Sequence, residues 1–147
     1  LQSKINISEH EHQKVVIEWC GLMARHKFPM LKWIFAVPNG GDRHKAVAGK
    51  LKAEGVKAGV PDLCLPYPKP MVVESYPEAL GVDVRPGWHG LFIEMKSKDT
   101  KGRVSPAQQE WLDYLESVGY KVKVAWNADE AIQIIEDYLS GEPSTNP

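Results

Sequence analysis

The sequence predicts a mixed α/β domain, a central mixed sheet flanked by helices. Apolar residues recur at helical spacing in several stretches, and short apolar runs alternate with them. Gly, Pro and capping residues punctuate the series, giving the order helix, strand, helix, strand, strand, helix, strand, helix. With 147 residues, 43% hydrophobic and 25% charged, the chain fits one domain able to bury a core.

From His10 to Ala24, Val15, Val16, Trp19, Cys20, Leu22 and Met23 stand at helical spacing. Leu31 to Val37 is an apolar, aromatic run stopped by Pro38-Asn39-Gly40-Gly41, which predicts a strand closed by a turn. Arg43 to Glu54 reads as a helix that Gly55 stops, and Val60 to Leu65 as a short buried strand. Pro66 to Pro86 is rich in proline and weak in periodicity, so an irregular excursion is expected. Leu91 to Met95 is the next strand. Ser105-Pro106 then opens a helix whose apolar face is Trp111, Leu112, Leu115 and Val118, ended by Gly119. Tyr120 to Trp126 alternates valines with Lys121 and Lys123, the pattern of a strand with one wetter face. Asn127 or Asp129 caps a last helix through Leu139. The domain is expected to fill residues 1–140, with 141–147 a loose tail.

Several function classes are disfavoured. No apolar run approaches the roughly 20 residues of a membrane span, and no signal-peptide pattern opens the chain, so a cytoplasmic protein without a membrane partner is expected. Cys20 and Cys64 lack metal-site spacing and read as small core residues, and Trp33, Trp88 and Trp111 also read as core. The net charge of −1 hides an asymmetry. Residues 40–59 hold five Lys/Arg against two acids, residues 96–103 four against one, and after Trp126 come five acids and no base. Two basic segments point to a polyanionic partner.

One constellation carries chemistry. Pro61-Asp62 stands near the start of one strand and Glu94-Met95-Lys96 at the end of the next. Residues two apart in a strand share a face, so Glu94 and Lys96 project together, and Asp62 joins them if the strands pair. Two carboxylates suit a hard cation such as Mg²⁺, and a lysine suits the charge that develops on a phosphoryl group. A Glu-Lys pair at an exposed strand end is the bland alternative.

Gly59-Val60-Pro61-Asp62-Leu63, Phe92-Ile93-Glu94-Met95-Lys96, Ser105-Pro106-Ala107-Gln108 and Gly119-Tyr120-Lys121-Val122, in that order, resemble the VRR-NUC domain. This is the virus-type replication-repair nuclease branch of the PD-(D/E)xK superfamily, which has a restriction-endonuclease-like core. Pro38-Asn39-Gly40 and the first helix also fit, so the resemblance runs from about Glu9 to Leu139. It implies a DNA nuclease dependent on Mg²⁺ or Mn²⁺. Its stand-alone, phage-type members resemble Holliday-junction resolvases and act as homodimers. A flap or exonuclease, a restriction-like enzyme and a non-catalytic DNA-binding module are the alternatives.

By the same resemblance Asp62 and Glu94 would hold metal and Lys96 would be the catalytic lysine. An acid of the first helix would join them. Glu11 shares a face with Val15 and Trp19, and Glu9 with Gln13, Val16 and Cys20; Glu11 is the narrow choice. Gln108 has capping-box spacing from Ser105 but also lies at the inward edge of its helix, and the family motif favours an active-site contact. Arg43, His44, Lys45, Lys98 and Arg103 are the candidates for phosphate contacts, which ask mainly for positive charge.

Overall fold

The computed structural model describes residues 6–38, 45–75, 81–85 and 87–141. Helix α1 spans Glu9–His26 and starts at a full capping box. The Ser8 hydroxyl accepts from the Glu11 amide, and the Glu11 carboxylate accepts from the Ser8 backbone N–H. Its buried residues are Val16 and Cys20, so the face one step away from Val15 and Leu22 turns inward. Residues 29–33 form a 3₁₀ helix that takes up Leu31 to Trp33, the start of the expected strand, and β1 is confined to Phe35–Ala36. Pro29 explains the difference: it fixes φ for a first helical turn, and the Phe28 carbonyl accepts from the Leu31 amide.

Helix α2 covers Lys45–Ala53, and β2 is Leu63–Leu65, leaving Pro61 and Asp62 just ahead of the strand. The proline-rich excursion contains a hairpin of β3 (Val72–Ser75) on β4 (Val82–Arg85), antiparallel with Val73 opposite Val84. Its prolines flank the strands instead of interrupting them, so the β-branched residues between them pair. Strand β5 is Leu91–Met95, helix α3 Pro106–Ser117, β6 Lys121–Ala125 and α4 Ala128–Ser140, capped by Asn127.

The main sheet has the order β1-β2-β5-β6. The first two pairings are antiparallel, and β6 lies parallel to β5 after the α3 crossover. Register sorts the side chains into two faces. Leu63, Leu65, Leu91, Ile93, Met95 and Ala125 build one, and they pack with Val16 and Cys20 of α1 and Ala131, Ile135 and Tyr138 of α4. Cys64, Phe92 and Glu94 belong to the opposite face, where α3 lies. Both cysteines are buried and free, as expected of core residues.

The alternation expected of β6 is not seen: Lys121 to Val124 are all half-buried. Lys121 and Lys123 stand in register with Leu91 and Ile93 on the core side, so their stems cover apolar surface at the sheet edge. The Lys121 ammonium sits 4.9 Å from the centre of the Trp88 ring. Burial, with the Lys123 charge beside it, holds that ammonium below its ordinary pKa. Trp33 is corrected outright: it is 64% exposed, because the 3₁₀ turn points it outward with Lys32 over its ring. Among the described residues no helix is long and apolar enough to cross a membrane.

Candidate active site

The antiparallel register of β2 on β5 pairs Leu63 with Ile93, so one step further Asp62 faces Glu94. Two backbone contacts fix Asp62: its carbonyl accepts from the Val37 amide at 2.8 Å, and its carboxylate from the Met95 amide at 2.7 Å. Strand β5 therefore presents Glu94 on the α3 face beside a carboxylate anchored to its own backbone.

Glu94 is 1% exposed and Lys96 5%. The Lys96 ammonium is 2.9 Å from Glu94 Oε1, and Gln108 Nε2 donates to the same oxygen at 2.5 Å. Glu94 Oε2 is buried with no hydrogen-bond donor in reach. Burial pushes the Glu94 carboxyl up to about 7 despite the lysine, and the neighbouring Asp62 charge pushes the same way. Asp62 is also raised, chiefly by burial, against the opposing pull of the Met95 N–H and Lys96. The two carboxyls face each other across the strand pair, and a hydrogen bond between them would require one of them to hold a proton.

The first-helix acid is corrected. Glu11 is exposed and spent on the capping box, where its Oε2 accepts from both the Ser8 amide and hydroxyl. Those contacts hold its carboxyl below the ordinary value. Glu9 instead puts Oε1 3.8 Å from the Lys96 ammonium. The reason is helical phase: Glu9 shares its face with Val16 and Cys20, the face that turns inward. The sequence pattern allowed either acid; burial of Val16 in place of Val15 selects Glu9.

Gln108 does both jobs weighed for it. Its Oε1 accepts from the Ser105 amide at 2.8 Å while Nε2 holds Glu94. Lys98 and Arg103 are exposed on the loop after β5. Arg43 and His44 lie outside the described residues, as does the side chain of Lys45, whose backbone begins α2. Trp88 packs half-buried against the core, and Trp111 ties α3 to the loop before Asp62 by donating its indole N–H to the Ala58 carbonyl at 3.1 Å. Gly59, which opens the Gly59–Leu63 motif, has a structural role that the motif alone did not assign. With φ +87°, a Cβ there would stand 2.7 Å from the Ala107 backbone, so glycine lets this loop press against the start of α3.

Asp62, Glu94, Lys96 and Gln108 all lie within the span of a matching family model. The VRR-NUC domain model covers residues 6–128. This chain belongs to the VRR-NUC family. A solved structure described as a VRR_NUC domain protein is 30% identical, covers 92% of this chain and 91% of its own, and superposes with a TM-score of 0.66. No curated protein matches the chain. The mixed sheet with flanking helices is thus the nuclease-like fold of the family, and the Asp62–Glu94–Lys96 cluster lies within the matched span.

The VRR-NUC fold implies a divalent cation, and the donor set fits one. Asp62, half-buried, and Glu94, buried, are hard oxygen donors that face each other, and Glu94 Oε2 has no hydrogen-bond partner from the protein. Among the described residues no three His, Cys, Asp or Glu side chains gather as a metal-holding group. Two carboxylates suit Mg²⁺, which keeps several waters.

Proposed function

We propose that this chain is a Mg²⁺- or Mn²⁺-dependent DNA endonuclease that hydrolyses phosphodiester bonds, acts on branched DNA of the four-way-junction type and works as a homodimer. The observation that carries the reading is the buried Glu94: a carboxyl with one oxygen held by Lys96 and Gln108, one left bare, and a second carboxyl against it. A purely structural acid at this depth is costly without full pairing, which favours a role for the bare oxygen.

Asp62 and Glu94 would hold the cation, which would supply Lewis-acid polarisation of the phosphoryl oxygen. Gln108 fixes the orientation of the Glu94 carboxylate by donating to Oε1. Lys96 places its amine nitrogen at the edge of that carboxylate, where it can stabilise negative charge developing on the phosphate. The exposed Lys98 and Arg103, with Arg43, His44 and Lys45, would bind the backbone of the DNA. Cutting a four-way junction needs two sites related by two-fold symmetry, and a C2 pair supplies them.

The test is to incubate the protein with Mg²⁺ or Mn²⁺ and labelled four-way junction, flap, duplex and single-stranded DNA, with sedimentation alongside. Paired symmetric cuts in the junction are expected from a species of about twice the chain mass. Asp62→Asn and Glu94→Gln should abolish them with the fold kept. Full cleavage in EDTA or in either variant would overturn the reading, and cleavage of flaps alone by a monomer would replace the substrate.

A further inference from the structure

The loop that follows Lys96 closes on itself and, in doing so, grips the segment ahead of α1. Ser97 is wholly buried. Its hydroxyl donates to the Ile7 carbonyl at 2.6 Å and accepts from the Asp99 amide at 3.2 Å. Asp99 Oδ2 in turn accepts from the Ile7 amide at 3.3 Å. Both backbone groups of one residue are thus held by two side chains of one short loop. The Ser97 carbonyl accepts from the Gly102 amide at 3.0 Å and from the Thr100 hydroxyl at 3.4 Å, which fixes the loop itself.

The position gripped is two residues before Glu9. Ser8, between them, caps α1, so holding Ile7 sets both where the helix starts and how it is rotated. The Glu9 carboxylate then lies over Gly102: a Cβ there would fall 2.5 Å from Glu9 Oε1 and 3.4 Å from Lys96 Cδ. Glycine leaves the slot in which Glu9 faces the Lys96 ammonium. The lysine has only two carboxylate neighbours within ion-pair distance among the described residues, Glu94 at 2.9 Å and Glu9 at 3.8 Å.

We propose that Ser97 and Asp99 are positioning residues that, by clamping Ile7, hold Glu9 as the second counter-ion aiming the Lys96 ammonium. When the Glu94 carboxylate is engaged elsewhere, Glu9 is the remaining anion that keeps Lys96 in place. This rests on the nuclease reading for its catalytic consequence, whereas the clamp itself is a property of the fold.

The test uses wild type, Ser97→Ala, Asp99→Ala, Asp99→Asn, Glu9→Gln and the Ser97→Ala/Glu9→Gln double variant. Two quantities are read: amide hydrogen exchange in the first two turns of α1, and steady-state cleavage with Mn²⁺. Ser97→Ala and Asp99→Ala should speed exchange at the helix start and lower kcat about tenfold with KM little changed, the size of effect that loss of an orienting partner has at a metal site. Asp99→Asn, which keeps an acceptor for the Ile7 amide, should restore both. In the Glu9→Gln background Ser97→Ala should cost no further rate, because it acts through Glu9. Unchanged exchange overturns the clamp whether or not cleavage is seen. Additive losses, or a loss confined to KM, overturn the positioning role while leaving the nuclease reading intact. Wild-type protein that cleaves no DNA overturns the nuclease reading and the catalytic half of this one with it.

Discussion

Gln108 reaches Glu94 with its amide nitrogen at 2.5 Å while its oxygen closes the capping box on Ser105 at 2.8 Å. One side chain both starts α3 and orients the buried carboxylate, so the position of the helix and the geometry of the site are mechanically the same variable.

The two roles separate by substitution. Gln108→Ala should lower stability by ~1 kcal/mol through the lost cap and slow cleavage as well. Gln108→Glu keeps the capping acceptor but adds a third carboxylate beside Glu94 and Asp62, so it should melt closer to wild type and cleave less than the alanine variant. Thermal melts paired with single-turnover rates decide it, and a fully active Gln108→Glu would remove Gln108 from the site.

Lys96 is held at 2.9 Å from Glu94 and is 5% exposed, so its charge is aimed instead of free. Lys96→Met keeps the apolar stem and removes the charge. It should lower kcat by about 10²–10³-fold, as loss of one contact to developing charge does, with junction affinity little altered. A variant that turns over normally at saturating DNA would leave Lys96 an anchor only.

Burial gives the metal-free protein a pH dependence with a definite sign. The Glu94 carboxyl titrates at about 7 in the folded chain against an ordinary 4.5, so between those values the folded state holds a proton the unfolded chain has released. Stability in EDTA should therefore fall as pH rises from about 4.5 to 7 and level off above. Asp62, shifted in the same direction, adds to the slope. Glu94→Gln should flatten the curve of melting temperature against pH. A wild-type midpoint that rises across that window would mean that the carboxylate is better solvated than its burial implies.

Two glycines provide a matched contrast. Gly59→Ala meets both a positive φ and the Ala107 backbone at 2.7 Å, and should cost ~1–3 kcal/mol while displacing the start of α3, hence Gln108. Gly49→Ala in α2 meets nothing within 4 Å and should stabilise by ~0.5–1 kcal/mol. Denaturant titrations compare them directly, and equal effects would show that the close approach at Gly59 is relaxed in solution.

The amino-acid sequence by itself determined the elements with strong local signals. Ser105-Pro106, Asn127 and Gly119 mark helix ends, and apolar Leu91–Met95 marks the central strand, because caps and periodicity are properties of neighbours in the chain. The same locality placed Glu94 and Lys96 on one face, two residues apart on a strand. Where a local signal was weak the expectation failed: a proline at residue 29 turned a strand start into a 3₁₀ helix, and prolines around the hairpin concealed β3 and β4. Only the tertiary structure decided between Glu9 and Glu11. Both stand in the first turn of α1, and local rules allow either, but the helix can bury only one face. Burial of Val16 and Cys20 against the sheet turns Glu9 toward Lys96, and the grip of Ser97 and Asp99 on Ile7 fixes that rotation. Those contacts join residues some ninety positions apart in the chain, a separation at which sequence pattern carries no register and packing alone selects the partner.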